Sequence, residues 1–296
     1  MVRTYALDVL KLGYRVVTSV RGRREPLFAR APVLSKLLRS IAILVLGGNE
    51  AIYTIQGHKM HIPADDTSLY IYTLDDYEPI KTEVFIDSLR AGDVAVDVGA
   101  HIGYYTLLAA RRVGQRGVVF AFEPDPANYK LLNENIRLNN YENVVAVQKA
   151  VTNKTGSATL FLNSSSSKNS LFLAPRSCEK RTVVETVSLD DFFSEYPPSL
   201  ASRIKLIKMD VEGAEMLALL GMSQLVKDKQ LTLLSDVAAH QITNSGFELP
   251  EFVSKLVEYG FELDCVSKKG YSSDQLIEIA NRGVPWLDLV CTHKPN

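Results

Sequence analysis

Between residues 78 and 293 the chain alternates between two hydrophobic periods. Short apolar runs predict buried strands, and segments with an apolar residue every three or four positions predict helices. The predicted strands are Asp93–Val98, Val118–Phe122, Asn143–Val147, Ile204–Met209, Leu231–Ser235, Phe261–Val266 and Leu287–Thr292. The predicted helices are Glu78–Leu89, Gly103–Arg112, Pro126–Asn139, one from Ala214, and Pro250–Tyr259. This alternation predicts an α/β fold with a doubly wound, mostly parallel sheet and helices on both faces.

The segment before this region follows a different pattern. Within residues 3–46, apolar residues recur at helical spacing on both sides of the polar run 21–26, which predicts two helices. Residues 51–63 alternate between apolar and polar positions around Gly57, which predicts a hairpin. The α/β region therefore carries an N-terminal helical and hairpin extension.

One internal segment departs from the strand–helix alternation. Residues 157–187 predict extra strands around the serine-rich loop Asn163–Asn169. The chain thus divides into a basic helical extension over 1–50, a hairpin and lead-in over 51–76, and an α/β domain over 77–296.

Charge is distributed unevenly along the chain. The formal net charge is −1, which gives no overall bias towards nucleic acid, and we expect none as a partner. Residues 1–40, however, carry a net charge of +7, so the remainder carries −8. A basic arm of this kind can bind an anionic surface or can be the solvated face of a helix. Peripheral membrane contact through residues 1–46 and assembly into a homo-oligomer are therefore further partner hypotheses.

Cysteine content and hydropathy indicate the cellular context. The three cysteines are far apart and lack metal-binding spacing, which favours a reducing cytoplasm over a disulfide framework. The longest apolar run, Ile41–Leu46, is much shorter than the ~20 residues of a membrane-spanning helix. We therefore expect a cytoplasmic protein, either free or attached peripherally to a membrane.

The first chemical motif follows the first strand of the α/β domain. Asp97 lies at the strand end, and Gly99 and Gly103 follow before a helix. Glycine lets a ligand approach the backbone and lets the helix pack tightly, and the helix start supplies N–H groups. His101 stands where the dinucleotide pattern G-x-G-x-x-G requires its second glycine, which argues against a pyrophosphate ligand. A tight turn without a ligand is the alternative.

The second motif follows the next strand and contains Glu123. It lies 20 residues after Gly103, the interval at which nucleotide-binding folds place a carboxylate on the ribose hydroxyls. The alternative role is an N-terminal cap for the helix that begins at Pro126, and Asp125 fits that role better. We therefore predict that Glu123 is a ribose ligand.

Three carboxylates follow the strand Ile204–Met209, namely Asp210, Glu212 and Glu215. Acids in the first turn of a helix favour its dipole, so Glu212 and Glu215 also have a structural interpretation. Asp210 ends a strand that should be buried on both faces, at the edge where doubly wound sheets bind ligands. Asp210 is therefore the first candidate general base, and Glu212 is kept as a further catalytic candidate.

The following strand is succeeded by Asp236 and His240. A histidine within reach of the transferred group can act as a general base, although a single loop histidine is more often incidental. His240 is therefore the second candidate base. Asp210, Asp236 and His240 could together bind a hard divalent cation, but we expect no metal.

Four segments, taken in order, resemble the FkbM family of methyltransferases. They are Asp93–Ala109, Phe122–Pro126, Val187–Asp191 and Ile207–Glu215. The resemblance covers roughly Glu78 to Cys265. The chain differs from the family pattern at His101, where asparagine is usual, and at Asp236, where glutamate is more usual.

This resemblance implies a class I, Rossmann-like methyltransferase fold and S-adenosylmethionine as the cofactor. It implies that Asp210 faces the methyl donor. The residues it assigns to cofactor binding are Asp97, Gly99, Gly103 and Glu123, and we add their chain neighbours Ala100 and Pro124 to the predicted cofactor site. Family members act chiefly on hydroxyl groups of natural products and glycans, so we expect O-methylation of a small-molecule, glycan or lipid-linked sugar acceptor.

Two other functions are compatible with parts of the pattern. A nucleotide-dependent oxidoreductase would also carry a glycine turn and a later acid, but it would need the missing phosphate-binding glycine. A non-catalytic membrane-surface protein with a vestigial methyltransferase fold would explain the basic N-terminal segment. Such a protein would not need to keep Asp97, Glu123 and Asp210 together.

Overall fold

The structure is a computed structural model. It describes residues 52–63, 77–163, 166–172, 180–227, 230–266 and 270–293. The chain divides into two compact units, Met1–Pro79 and Ile80–Asn296. The helices predicted within residues 3–46 lie outside the described residues.

The predicted hairpin is present in the first unit. Strands β1 (Ile52–Ile55) and β2 (His58–His61) pair antiparallel through a two-residue turn. Both turn residues, Gln56 and Gly57, have positive φ angles, of 50° and 77°. Turns of this kind match the right-handed twist of the strands they connect.

The second unit is built on a seven-stranded sheet. Its strands are β3 (Val94–Val98), β4 (Val118–Phe122), β5 (Val144–Val147), β9 (Ile204–Met209), β10 (Thr232–Ala238), β11 (Phe261–Cys265) and β12 (Trp286–His293). Their order across the sheet is β11-β12-β10-β9-β3-β4-β5. The five strands from β10 to β5 are parallel, whereas β12 runs antiparallel to β10 and β11. The predicted mostly parallel sheet is therefore confirmed.

The order of these strands creates one switch point. From β3 the chain proceeds to β4 and β5 on one side, and later returns to place β9 and β10 on the other. All five residues of β3 are buried, because helices cover both faces of this central strand. The loops that follow β3 and β9 therefore meet at the carboxyl edge of the sheet, where such folds bind ligands.

A smaller sheet is inserted between β5 and β9. It contains β6 (Ala150–Val151), β7 (Gly156–Leu162) and β8 (Lys180–Val187), with β8 in the middle. The β7–β8 connection includes a short 3₁₀ helix, Ser166–Lys168. The extra strands predicted around the serine-rich loop are thus confirmed.

The described helices flank the large sheet. In chain order they are α1 (Pro79–Asp87), α2 (Tyr104–Val113), α3 (Pro126–Leu138), α4 (Leu189–Ser194), α5 (Pro198–Ala201), α6 (Glu215–Leu220), α7 (Ser223–Val226), α8 (Ala239–Asn244), α9 (Leu249–Glu258) and α10 (Ser273–Asn281). Helix α3 begins as the sequence predicts, because the Asp125 side chain accepts a 2.8 Å hydrogen bond from the Ala127 N–H and Pro126 takes the first helical position. Among the described helices, none is both long and apolar enough to cross a bilayer.

Candidate active site

Asp97 is a buried carboxylate within the central strand. The residue is 1% exposed, and its Oδ2 accepts a 2.6 Å hydrogen bond from the Thr106 hydroxyl on α2. Among the described residues, Oδ1 of Asp97 has no hydrogen-bond partner, and the Lys208 ammonium lies 3.8 Å from it. Burial raises the pKa of Asp97, whereas the neighbouring Lys208 charge acts to lower it.

Gly99 and Gly103 are required by close contacts within the protein. Both have positive φ angles, of 81° and 98°. A Cβ at Gly99 would lie 1.9 Å from the carbonyl oxygen of Asp210, and one at Gly103 would lie 2.8 Å from the Leu132 side chain on α3. The loop after β3 is thereby packed against both the loop after β9 and helix α3.

The loop after β3 is also hydrogen-bonded to the end of β4. The N–H groups of Gly99 and Ala100 both donate to the carbonyl of Phe122, at 3.0 and 2.9 Å. These two donors are therefore used within the protein. Pro124 follows Glu123 in the loop after β4, whose strand end is the hydrogen-bond partner of Ala100.

Glu123 connects the loops that follow β3 and β4. Its Oε2 accepts a hydrogen bond from the His101 N–H at 2.8 Å, and its Oε1 accepts one from the Asp125 N–H at 3.0 Å. Burial raises the pKa of Glu123 to about 7. Because Asp125 caps α3, the structure separates the capping role from the position of Glu123.

Glu215 organises the loop that follows β9. Its Oε1 accepts a hydrogen bond from the Val211 N–H at 3.2 Å, and the Gly213 N–H donates to both carboxylate oxygens, at 3.2 and 3.0 Å. Burial raises the pKa of Glu215 to about 7. These contacts agree with the structural interpretation of Glu215.

Glu212 lies at the tip of the same loop in a left-handed conformation, with a φ of 53°. Gln241 on α8 donates a hydrogen bond to its carboxylate, and the Ser170 hydroxyl donates to its carbonyl oxygen at 2.5 Å. Burial, followed by the nearby carboxylates of Asp210 and Glu215, raises the pKa of Glu212 to about 8. The protonated form of Glu212 therefore predominates at neutral pH.

Lys208 connects Asp97 on β3 with Asp210 in the loop after β9. It pairs in register with Asp97 across β3 and β9, and its Nζ lies 3.5 Å from Oδ2 of Asp210. The ammonium also lies over the Tyr105 ring, 5.0 Å from its centroid. The Asp210 side chain is 30% exposed, so its carboxylate is accessible at the ligand edge of the sheet.

Asp236 faces a second aspartate. It lies directly opposite Asp288 on the antiparallel pair β10–β12. Lys81 on α1 places its ammonium 2.8 Å from Asp236 and 3.1 Å from Asp288. Neither Lys81 nor Asp288 was predicted from the sequence as a site residue. The one sequence signal was the position of Lys81 four residues before Phe85, on the buried face of α1.

The remaining sequence candidates are His240 and the alternative metal site. His240 is exposed in the first turn of α8, and Asp236 is paired with Lys81. In the part of the chain that the structure describes, no three His, Cys, Asp or Glu side chains form a group able to bind a metal. The alternative site formed by Asp210, Asp236 and His240 is therefore not assembled.

The serine-rich connection between β7 and β8 contacts all three motif loops, which the sequence did not indicate. Ser166 Oγ lies 2.8 Å from Nε2 of His101. Asn169 donates a 2.5 Å hydrogen bond to the Asp125 side chain, and Ser170 donates to the Glu212 carbonyl. The insertion therefore holds the loops after β3, β4 and β9 together.

The residues at the switch point fit S-adenosylmethionine. The buried Oδ1 of Asp97, which has no hydrogen-bond partner among the described residues, suits the ammonium group of an amino acid. Oε2 of Glu123 accepts one N–H and retains a lone pair for a ribose hydroxyl. The Gly99 and Ala100 N–H groups are occupied, which agrees with a ligand that has no phosphate.

Comparison with known proteins identifies the family. The methyltransferase FkbM domain matches residues 97–263, which is more than half of the chain. Methyltransferase sdnD from Sordaria araneosa is 30% identical over 235 residues, covering 68% of this chain and 88% of that protein. Methyltransferase 1 from Beauveria bassiana is 29% identical over 210 residues, covering 62% and 81%.

Solved structures are similar to the chain at lower sequence identity. TYW2 from M. jannaschii, crystallised in complex with AdoMet, is 16% identical, with 82% of this chain and 84% of that chain covered and a TM-score of 0.43. The matched range begins at Asp97 and includes Glu123 and Asp210. The chain belongs to the FkbM family of methyltransferases, and its methyl donor is S-adenosylmethionine.

Proposed function

We propose that the enzyme methylates a hydroxyl oxygen on a glycan, a lipid-linked sugar or another natural product. The observation that carries this proposal is the position of Asp210. Its partly exposed carboxylate follows β9 at the switch point, and Lys208 connects it to the buried Asp97 of the donor motif. A proton acceptor therefore lies beside the residues proposed to bind the donor.

Hydroxyl acceptors require such a group because the proton must leave the oxygen as the new bond forms. When bound, S-adenosylmethionine supplies an activated methyl group. Asp210 would accept the hydroxyl proton at a carboxylate oxygen as the acceptor oxygen takes the methyl group, and the donor would leave as the neutral thioether. General-base assistance of this kind contributes about 10²–10⁴-fold to the rate.

The other two catalytic candidates are less suited to this role. Glu212 has its pKa raised to about 8 and receives a hydrogen bond from Gln241, so it is largely protonated and engaged at neutral pH. His240 is exposed on α8. We therefore rank Asp210 first, His240 second and Glu212 third as proton acceptors.

Donor binding is proposed to rest on Asp97 and Glu123. Asp97 would accept the donor's ammonium, and Glu123 would accept a ribose hydroxyl at Oε2. The loops containing Gly99, Ala100, Gly103 and Pro124 would enclose the donor between β3 and β4. Alignment of donor and acceptor in such a site can lower the barrier by about 7–11 kcal/mol.

The proposal is tested by methyl transfer into a native cell extract. Donor with a carbon-13 methyl group is incubated with extract and enzyme, and the labelled product is fractionated. The chemical shift of the labelled carbon distinguishes a methyl group on oxygen from one on nitrogen or carbon. We expect an oxygen-bound methyl group that is absent with Asp210→Asn. Label on nitrogen or carbon refutes O-methylation, and no transfer by folded, donor-binding enzyme supports the vestigial alternative.

A further inference from the structure

A lysine is buried in the middle of the sheet. Lys208 is 5% exposed, and its strand neighbours Ile207 and Met209 are fully buried apolar residues. Removing an ammonium group from water is strongly unfavourable unless the group is paired. An aliphatic residue would suit this position in a parallel strand, so the charge requires an explanation.

The explanation lies in the groups that surround the ammonium. Its Nζ is 3.8 Å from Oδ1 of Asp97 and 3.5 Å from Oδ2 of Asp210, and it lies over the ring of Tyr105. Asp97 lies on β3 and is proposed to bind the methyl donor. Asp210 follows β9 and is proposed to take the proton of the acceptor. Lys208 is the cation that lies between them.

We propose that Lys208 is a positioning residue that keeps Asp97 ionised and oriented for the ammonium group of the methyl donor. This inference rests on the proposed role of Asp97 in donor binding. Asp97 is buried and lies near the partly exposed Asp210 carboxylate, and both its burial and that like charge favour the protonated form of Asp97 unless a cation lies with it. Lys208 supplies that cation and holds Asp97 and Asp210 close to one ammonium.

The groups next to Asp97 indicate how its protonation depends on Lys208. The facing charges are the Lys208 ammonium and the Asp210 carboxylate, both from β9 and its following loop. Helix α2 contributes the Thr106 hydroxyl, and β4 contributes Ala121 at the register position beside Asp97. Without the lysine charge, burial and the Asp210 carboxylate both favour protonation of Asp97.

The direction of the change in donor affinity distinguishes this proposal from direct repulsion between the Lys208 charge and the donor. The amino-acid end of the donor carries an ammonium group, so a lysine that acted only through its own charge would repel that group and weaken binding. Its removal would then tighten binding. If Lys208 acts through Asp97, its removal weakens binding, because the donor ammonium loses an ionised partner.

The experiment measures the affinity of the full-length chain for S-adenosylhomocysteine by calorimetry between pH 6 and 9. This probe keeps the amino-acid end of the donor but has a neutral sulfur. We expect Lys208→Met to weaken binding about tenfold or more at pH 7. We also expect the pH midpoint of its affinity to lie higher than in the parent. Lys208→Arg should restore the parental midpoint, because it retains the charge.

The matched control is Lys205→Met, a lysine on the same strand whose Nζ contacts the Gln230 carbonyl. Its affinity should stay within about twofold of the parent value, and its pH midpoint should stay within about a few tenths of a pH unit. Tighter binding by Lys208→Met, or an unchanged midpoint, overturns the proposal.

A double variant keeps the test valid if Lys208→Met does not fold. In an Asp97→Asn background there is no buried Asp97 charge to maintain, so adding Lys208→Met should change affinity by less than about twofold. A further tenfold loss in that background overturns the proposal. If Asp97→Asn alone binds like the parent, the role of Asp97 in donor binding is wrong, and the Lys208 inference fails with it. Because the binding assay uses no acceptor, it tests the role of Asp97 in donor binding independently of the proposed O-methylation.

Discussion

Gly99 lies directly against the backbone of Asp210. A Cβ at Gly99 would be 1.9 Å from the Asp210 carbonyl oxygen and 3.0 Å from its carbonyl carbon. The Asp210 N–H donates to the Val98 carbonyl at 3.1 Å, so the two loops are joined on both sides of this contact. The donor motif and the proposed base are therefore held in one backbone arrangement that only glycine permits.

Gly99→Ala should therefore disrupt both the fold and donor binding. A side chain at positive φ costs about 1–2 kcal/mol, and displacement of the Asp210 carbonyl adds to that cost. We expect a lower thermal unfolding midpoint and loss of S-adenosylhomocysteine binding by calorimetry. Gly92→Ala is the control, since Gly92 also has a positive φ but a Cβ there would meet no atom within 4 Å. The prediction is wrong if the two variants bind equally.

Glu123→Ala should weaken donor binding. The ribose loses a charged acceptor, and hydrogen bonds to charged groups are worth about 1.5–3 kcal/mol, or roughly 10–150-fold in affinity. Since the pKa of Glu123 is raised to about 7, the ionised acceptor forms as the pH rises through 7. Calorimetry should thus show tighter binding by the parent at pH 8 than at pH 6, and a smaller difference in Glu123→Gln. An affinity within twofold of the parent for Glu123→Ala contradicts the assignment.

Glu215→Gln should change how stability depends on pH. The folded-state pKa of about 7 lies above the ordinary value of 4.5, so folding favours the protonated form. This contribution is complete below about pH 4.5 and is lost as the pH rises to 7, which amounts to about 3 kcal/mol. Urea unfolding between pH 5 and 8 should show a shallower decline in Glu215→Gln than in the parent. Glu195→Gln, on an exposed side chain, is the control, and an identical slope for Glu215→Gln refutes the prediction.

Asp210→Asn should slow methyl transfer by about 10²–10⁴-fold, because it keeps the shape of the side chain and removes its basicity. Donor affinity should stay within a few-fold of the parent, since Asp210 is proposed to serve the acceptor. The measurement compares label transfer into the extract product with calorimetric donor binding. His240→Asn is measured in the same two assays. Full activity of Asp210→Asn together with an inactive His240→Asn would transfer the role to the histidine.

Local sequence patterns were sufficient for the strands that position the site. The apolar runs that form β3, β4 and β9 are buried strands in the structure, and Asp97, Glu123 and Asp210 were located by their position at the strand ends. Helix α10 was not predicted, although Ser272 and Gln275 form a capping box at its start. Its buried residues, Leu276 and Ala280, lie four positions apart, so the sequence carried both a capping signal and a helical period for α10 that the prediction overlooked.

The sequence by itself determined the alternation of elements, the order of the motifs and the family, because these depend on residues close together in the chain. Only the tertiary structure decided which charges meet. Lys81 reaches Asp236 across 155 positions of sequence, and Lys208 meets Asp97 because β9 pairs with β3 in one register. A lysine within an apolar strand has no local signal for its partner. Its burial is stable only where the fold brings carboxylates within a few ångströms, and strand order and register set that distance.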